Sequence, residues 1–138
     1  RVYLTIDELK RMMATPCDDG ELKKAFLFAC FTGLRLSDTR TFTWNKVLTT
    51  PNDSTRYIRV RMLKTQQVVN VPLSKDALGY LRETEDGDEP IFRLSTAASV
   101  IEQRLAEWAK NAGIEKHVTF HVSRHSYATM ILTIGVDI

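Results

Sequence analysis

Tyr57-Ile58-Arg59-Val60-Arg61-Met62 alternates in side-chain character without a break. A period of two places Ile58, Val60 and Met62 on one face of a strand and Arg59 and Arg61 on the other. A second extended run, Gln67 to Val71, follows after Leu63 to Gln66, and Pro72 closes it. The pair predicts a hairpin with Lys64 at or near its turn. On both sides of this hairpin the apolar residues recur at three- and four-residue spacing instead. The fold class expected is therefore α+β, mainly helical with one small antiparallel sheet.

Toward the N-terminus, Thr5-Ile6-Asp7-Glu8 reads as a capping box, with Leu4 and Leu9 as its hydrophobic staple, and opens a helix from about Ile6 to Ala14. After the loop Thr15 to Gly20, a second helix starts near Glu21. Its Leu22, Ala25, Phe26, Ala29 and Cys30 form a buried stripe, and Gly33 stops it. Ser37 is expected to cap a third helix reaching about Asn45, with Phe42 and Trp44 turned inward. Beyond the hairpin, Ser74 caps a helix to about Arg82. Ser95 or Thr96 then opens a long helix with the stripe Val100, Ile101, Leu105, Trp108 and Ala112 before Gly113. A last helix, starting around Phe120, carries His121, Arg124 and His125 toward Gly135.

The 138 residues suffice for one domain with a core, and 43% hydrophobic with 26% charged residues excludes a disordered chain. A formal charge of +2 is too weak to indicate a polyanionic partner by itself, so placement matters more than the sum. Arg56 to Lys64 holds four cations and no acid, whereas Glu83 to Glu89 holds five acids in seven residues. One edge can thus face phosphate while another stays solvated. Cys17 and Cys30 have no CxxC spacing and are expected to be reduced thiols of an intracellular, cytoplasmic protein. The longest apolar stretch, Ala25 to Phe31, falls short of the roughly 20 residues that span a bilayer, so no membrane partner is expected. The chain opens at Arg1 with no signal-peptide pattern, and is expected to be a piece of a longer protein.

Chemistry is concentrated in Thr32-Gly33-Leu34-Arg35-Leu36-Ser37-Asp38, in Lys64-Thr65, and in His121-Val122-Ser123-Arg124-His125-Ser126-Tyr127-Ala128-Thr129. Taken singly, Arg35 reads as a surface cation beside a helix end, His121 as a core or capping histidine, and Asp38 as a first-turn carboxylate favoured by the helix dipole. On one helix His121 and Arg124, three apart, would share a face and could converge on one anion. His117, His121 and His125 would align as metal ligands only if one helix held all three. Thr119 as a helix start places His117 outside, and no metal is expected.

The order of these blocks resembles the tyrosine recombinase, or phage-type integrase, family. That family has an arginine after Thr-Gly-Leu, a hairpin lysine, and then His-x-x-Arg-His followed by a small polar residue, an aromatic and Ala-Thr. The likeness covers essentially the whole chain and implies the catalytic domain of a DNA breaking and rejoining enzyme. It implies that Arg35 and Arg124 grip the scissile phosphate, whose two non-bridging oxygens suit a planar guanidinium fork. By the same resemblance Lys64 gives a proton to the departing 5′ oxygen, His121 handles protons or bonds the phosphate, and Asp38 braces the network with His125 in support. Arg59 and Arg61 are expected on backbone phosphates. Val122 and Ser123 depart from the Asp-Leu common inside the second block.

The resemblance also implies a nucleophilic tyrosine beyond a Gly-x-Asp stretch like Gly135-Val136-Asp137, and none of Tyr3, Tyr57, Tyr80 and Tyr127 matches it. The segment carrying that tyrosine is expected to follow Ile138. A covalent 3′-phosphotyrosine conserves the bond energy of the broken linkage, so no cofactor is implied. Double-stranded DNA is the implied partner, with four subunits on two duplexes in a working synapse. Two rival readings are a DNA-binding module in which the same cations only contact phosphates, and a type IB topoisomerase with a similar residue set.

Overall fold

The computed structural model describes residues 2–61 and 66–134. Met62, Lys64 and Thr65 lie outside the described residues. The chain runs α1 (Ile6–Ala14), α2 (Gly20–Thr32), α3 (Leu36–Arg40), a single 3-10 turn at Trp44–Lys46, β1 (Leu48–Thr49), β2 (Arg56–Arg61), β3 (Val68–Pro72), α4 (Lys75–Gly79), α5 (Ala98–Asn111) and α6 (Val122–Ile134). The α+β class expected from the sequence is the one found.

α2 is buried almost all round, from Leu22 through Phe26, Phe28 and Ala29 to Thr32, and lies against α3, α4 and α6. A helix with apolar residues on every side can only be stable inside a core. Phe26 meets Trp108 of α5 and Phe120 ahead of α6 edge-on, with ring centroids at 5.7 and 5.6 Å. Phe28 packs on Phe42 and Phe92, with centroids at 5.0 and 5.5 Å. These edge-to-face and tilted contacts match the quadrupoles of the rings. α1 carries the predicted capping box: Thr5 Oγ1 accepts from Glu8 N at 3.1 Å and Glu8 Oε1 accepts from Thr5 N at 2.9 Å. Leu4 and Leu9 are buried beneath it.

The sheet is antiparallel in the order β1-β2-β3, with Ile58 opposite Val71 and Val60 opposite Val69. Ile58, Val60 and Val71 are buried, whereas Arg59 and Arg61 are exposed, as the alternation predicts. β1 went unpredicted because two residues are too few to show a period. It pairs with only Arg56 and Tyr57. The far end of β2 therefore has no strand on that side among the described residues.

Other boundaries differ from expectation for definable reasons. The third helix begins at Leu36, with Arg35 rather than Ser37 at its cap, and stops at Arg40 instead of Asn45. The carbonyl of Phe42 is taken by Ile91 N at 2.9 Å, and the amide of Asn45 donates to Gly87 O at 3.1 Å. Those long-range bonds replace the ones a longer helix would make. α4 ends at Gly79, short of Arg82, whose guanidinium instead closes on the carbonyls of Pro90 and Ile91. α5 is capped at Ala97, since the carbonyl of Ser95 is held by Arg40. α6 starts at Val122 after an i→i+3 turn in which Val122, Ser123 and Arg124 donate to Thr119, Phe120 and His121. His121 thus sits on that turn rather than inside the helix.

Trp108 ties α5 to the end of α1: its Nε1 donates to Met12 O at 3.1 Å and to Thr15 O at 3.0 Å. Trp108→Phe keeps most of the apolar volume but strips both carbonyls of this donor. The change is expected to lower stability by about 1–3 kcal/mol, the cost of unsatisfied acceptors. Urea unfolding checks this as a lower midpoint at unchanged slope.

Candidate active site

α2 ends at Gly33, whose φ of +80° is the left-handed conformation open to glycine without strain. Its amide donates to Ala29 O at 2.8 Å, while Thr32 Oγ1 donates to Phe28 O at 2.9 Å. The turn reverses the chain into Leu34 and Arg35. Arg35 is extended, and its carbonyl accepts from both the amide and the hydroxyl of Thr39, at 2.9 and 2.8 Å. With its backbone pinned in this way, Arg35 sends Nε to Asp38 Oδ2 at 3.1 Å. Both side chains are about a third exposed, at 34% and 39%, so the pair contributes little stability and serves to orient the guanidinium.

Arg124 comes from α6. Its Nη2 donates to Arg61 O at 3.2 Å, fastening the helix to the end of β2. Burial and the nearby charge of Arg35 both push its guanidinium below the usual value, and Asp38 acts in the opposite sense. The two arginines therefore stand within electrostatic reach of each other, with one carboxylate between them in effect. A cleft of about 420 Å³ opens here, with Leu34, Phe42, Ile58 and Val60 among its apolar lining and Arg35, Asp38, Lys46, Arg59 and Arg61 among its polar lining. Four cations against one acid make it a receptor for an anion. A larger hollow, about 860 Å³, lies between α5 and the loop before α2, but its acids Asp18, Asp19, Glu21 and Glu107 outweigh its cations Lys24 and Arg104, and a phosphate is disfavoured there.

His121 is exposed, and its ring stands perpendicular to that of the half-buried His125, with centroids 4.6 Å apart. His117 lies in the loop before the turn, outside α6 as predicted. Among the described residues no group of three His, Cys, Asp or Glu is gathered for a metal ion. Ser123 Oγ donates to Phe120 O at 2.7 Å, so the residue that departs from the resembled pattern makes its own local contact. The amide of Phe120 donates to both carboxylate oxygens of Glu102 at 3.3 Å, which anchors the turn to α5. The structure thus brings Arg35, Asp38, Arg59 and Arg61 to one cleft, and holds Arg124 on the carbonyl of Arg61 within electrostatic reach of Arg35. Lys64 lies outside the described residues.

Lys46, which lines the cleft, is not singled out by the sequence, where it falls one residue past the expected end of the third helix. Nor is the carbonyl of Arg61, since a backbone acceptor leaves no trace in residue type. The contact between Gly33 and Tyr127 was hidden for another reason. A Cβ on Gly33 would lie 2.7 Å from Tyr127 Cδ2 and 3.1 Å from Cε2, and nothing in either block alone reveals that they touch. Burial pushes the Tyr127 phenol up to about 12.

A pattern that defines the phage integrase family matches residues 2–138. A tyrosine recombinase of Thermosipho africanus (strain TCF52B) is 30% identical over 144 residues, covering 99% of this chain and 50% of that protein. The crystal structure of XerA recombinase superposes with a TM-score of 0.65 at 26% identity, over 99% of this chain and 51% of that one. The XerH site-specific recombinase bound to its difH substrate, in a pre-cleavage complex, has the same fold with a TM-score of 0.69 at 16% identity, over 99% of this chain and 45% of that one. The chain spans about half the length of the curated relatives it matches.

Gly33→Ala is expected to destabilise the protein by about 2 kcal/mol or more, from the left-handed backbone penalty together with the clash. Chemical denaturation of the variant reads this directly. Tyr127 yields a pH signature. Its phenol titrates near 12 in the folded chain against 10.0 ordinarily, so between those values the unfolded chain has lost a proton that the folded chain keeps. Stability should fall as pH rises through this window. In Tyr127→Phe that part of the slope should vanish, and one phenolate absorbance step should go with it.

Proposed function

As the chain belongs to the phage integrase family, we propose that it is the catalytic domain, or most of it, of a tyrosine-type site-specific recombinase that breaks and rejoins double-stranded DNA. What supports this reading is a cationic cleft lined by Arg35, Arg59 and Arg61, with Arg124 fastened to the carbonyl of Arg61 and within electrostatic reach of Arg35. Two planar guanidinium forks address the non-bridging oxygens of a phosphodiester and neutralise charge that accumulates as the fifth oxygen approaches phosphorus. Held in place before the reaction, they would spare the solvent its reorganisation. Asp38 holds Arg35 by Nε, leaving the two terminal nitrogens of the fork for the phosphate.

Arg59, Arg61 and Lys46 extend the positive surface along β2 and the 3-10 turn, where the flanking phosphates of the same duplex would run. His121 supplies a proton or a hydrogen bond to the phosphate, and Lys64 protonates the leaving 5′ oxygen. The nucleophile is none of the four tyrosines of this sequence. Tyr127 is packed against Gly33 with its phenol held up near 12, and Tyr80 stacks on Phe31. Tyr57 sits in β2 opposite Pro72, and Tyr3 takes the ammonium of Lys116 over its ring. We therefore place the attacking tyrosine on a segment outside residues 1–138, in cis or from another subunit. The XerH structure is of a recombinase bound to its DNA substrate, which supports duplex DNA as the partner here. Assembly of four subunits on two duplexes, in the cytoplasm where that DNA lies, completes the proposal. No helix among the described residues is long and apolar enough to cross a membrane.

The test uses the native full-length polypeptide and a nicked duplex that traps the covalent protein-DNA adduct. Arg35→Ala and Arg124→Ala are each expected to slow adduct formation about 100- to 1000-fold, the loss typical of removing a preorganised oxyanion donor. Duplex affinity should fall less than about 10-fold, as for one lost phosphate contact. Lysine at either position should recover only a small part of the rate. Equal losses in affinity and rate would leave a DNA-binding module instead. Mass spectrometry of the adduct should map the tyrosine outside residues 1–138, and a modified Tyr127 would refute that assignment.

A further inference from the structure

The histidine pair at the start of α6 holds a relationship that the phosphate-binding reading leaves unused. His121 is exposed and precedes the first residue of the helix, so its backbone is set by a turn while its ring is free of the helical rotamer limits. An imidazole that must meet a phosphate loses that freedom on each encounter. His125 lies one turn further on, half-buried, and next to a rigid point of the fold. Its neighbour Ser126 is buried and donates Oγ–H to Val122 O at 2.8 Å while accepting from Leu4 N at 2.9 Å. The ring of His125 meets that of His121 at an interplanar angle of 89°.

We propose that His125 is a positioning residue: the perpendicular packing of its ring against His121 holds the His121 imidazole toward the phosphate, through shape rather than charge. The proposal rests on the recombinase reading above. Shape is favoured because the two rings meet edge to face, the arrangement that aromatic quadrupoles prefer. A charge on the ring at 125 would also add like charge beside the neighbouring Arg124, which already lies within reach of Arg35. A ring lacking any proton to exchange should therefore do the same work.

The experiment is a double-mutant cycle in the native full-length polypeptide, read by single-turnover cleavage of a nicked duplex and by equilibrium duplex binding. His121→Ala should cleave more slowly than the natural protein. His125→Ala should slow cleavage about 10-fold, within the range of a misplaced proton-transfer group, with duplex affinity unchanged. His125→Phe, which keeps a ring and cannot titrate, should restore most of that rate. The double variant His121→Ala with His125→Ala should be no slower than His121→Ala alone. Should His125→Ala fail to fold, His125→Gln takes its place as a planar side chain with no aromatic face. In nuclear magnetic resonance spectra of the same proteins, the His121 ring protons should move when His125 becomes Ala and move back when it becomes Phe. The inference is overturned by a Phe variant as slow as the Ala variant, by losses that multiply in the double variant, or by a His121→Ala protein that cleaves at the natural rate. If Arg124→Ala leaves cleavage intact, the recombinase reading itself fails. If Arg124→Ala abolishes cleavage while the histidine losses multiply, only the positioning role falls.

Discussion

Gly33 meets the ring of Tyr127 at a distance that leaves no room for a Cβ, and it does so in a backbone conformation that only glycine adopts freely. That approach is what brings the end of α2 onto α6. Arg35 follows Gly33 by two residues and Arg124 precedes Tyr127 by three, so the contact between glycine and ring is the hinge on which both guanidinium groups hang. A bulkier residue at 33 would part the two elements before it disturbed either arginine. The glycine carries no functional group, yet it sets how closely the two elements that bear the arginines approach.

The fold spends stability on this arrangement. Arg124 is partly buried and lies within electrostatic reach of Arg35, so its guanidinium is pushed down by desolvation first and by Arg35 second. Asp38 offsets only part of this. An anion in the cleft would relieve both strains at once, because it restores an opposite charge to each group. This is the familiar pattern of a site whose empty state is less stable than its surroundings, and whose ligand makes up the difference. Charge also separates the cationic cleft from the larger, net acidic hollow by α5.

Much of this was legible in the sequence wherever a local rule governed the outcome. The capping box at Thr5, the stop at Gly33, the alternation in β2 and the Ser74 cap each rest on residues within a few positions of one another, and each is present. What escaped was set by distant partners. α3 stops early because Ile91 and Gly87 claim the backbone of Phe42 and Asn45, and α5 lacks its expected serine cap because Arg40 holds Ser95. In the site, the residue types of Arg35 and Arg124 could be picked out from their blocks, but not the carbonyl of Arg61 that fixes one of them. Lys46 was invisible for the same reason: its place at the cleft follows from where a 3-10 turn falls, which no periodicity records.

The aim of Arg124 depends finally on how α6 is rotated about its own axis. Val122, Ser123 and Ser126 are buried, whereas Arg124 and His125 are only partly so, which gives the first turns of the helix two distinct faces. A stripe of apolar side chains would fix that rotation loosely, since such surfaces slide at little cost. The hydroxyl of Ser126 fixes it sharply, because a buried amide at Leu4 must find an acceptor and this is the acceptor it finds. Turning the helix by one residue, about 100°, would strand that amide and swing Arg124 off the carbonyl of Arg61. A small buried polar residue in the second block therefore does for rotation what Gly33 does for distance. Together the two explain how two arginines from opposite ends of the chain come within electrostatic reach of each other.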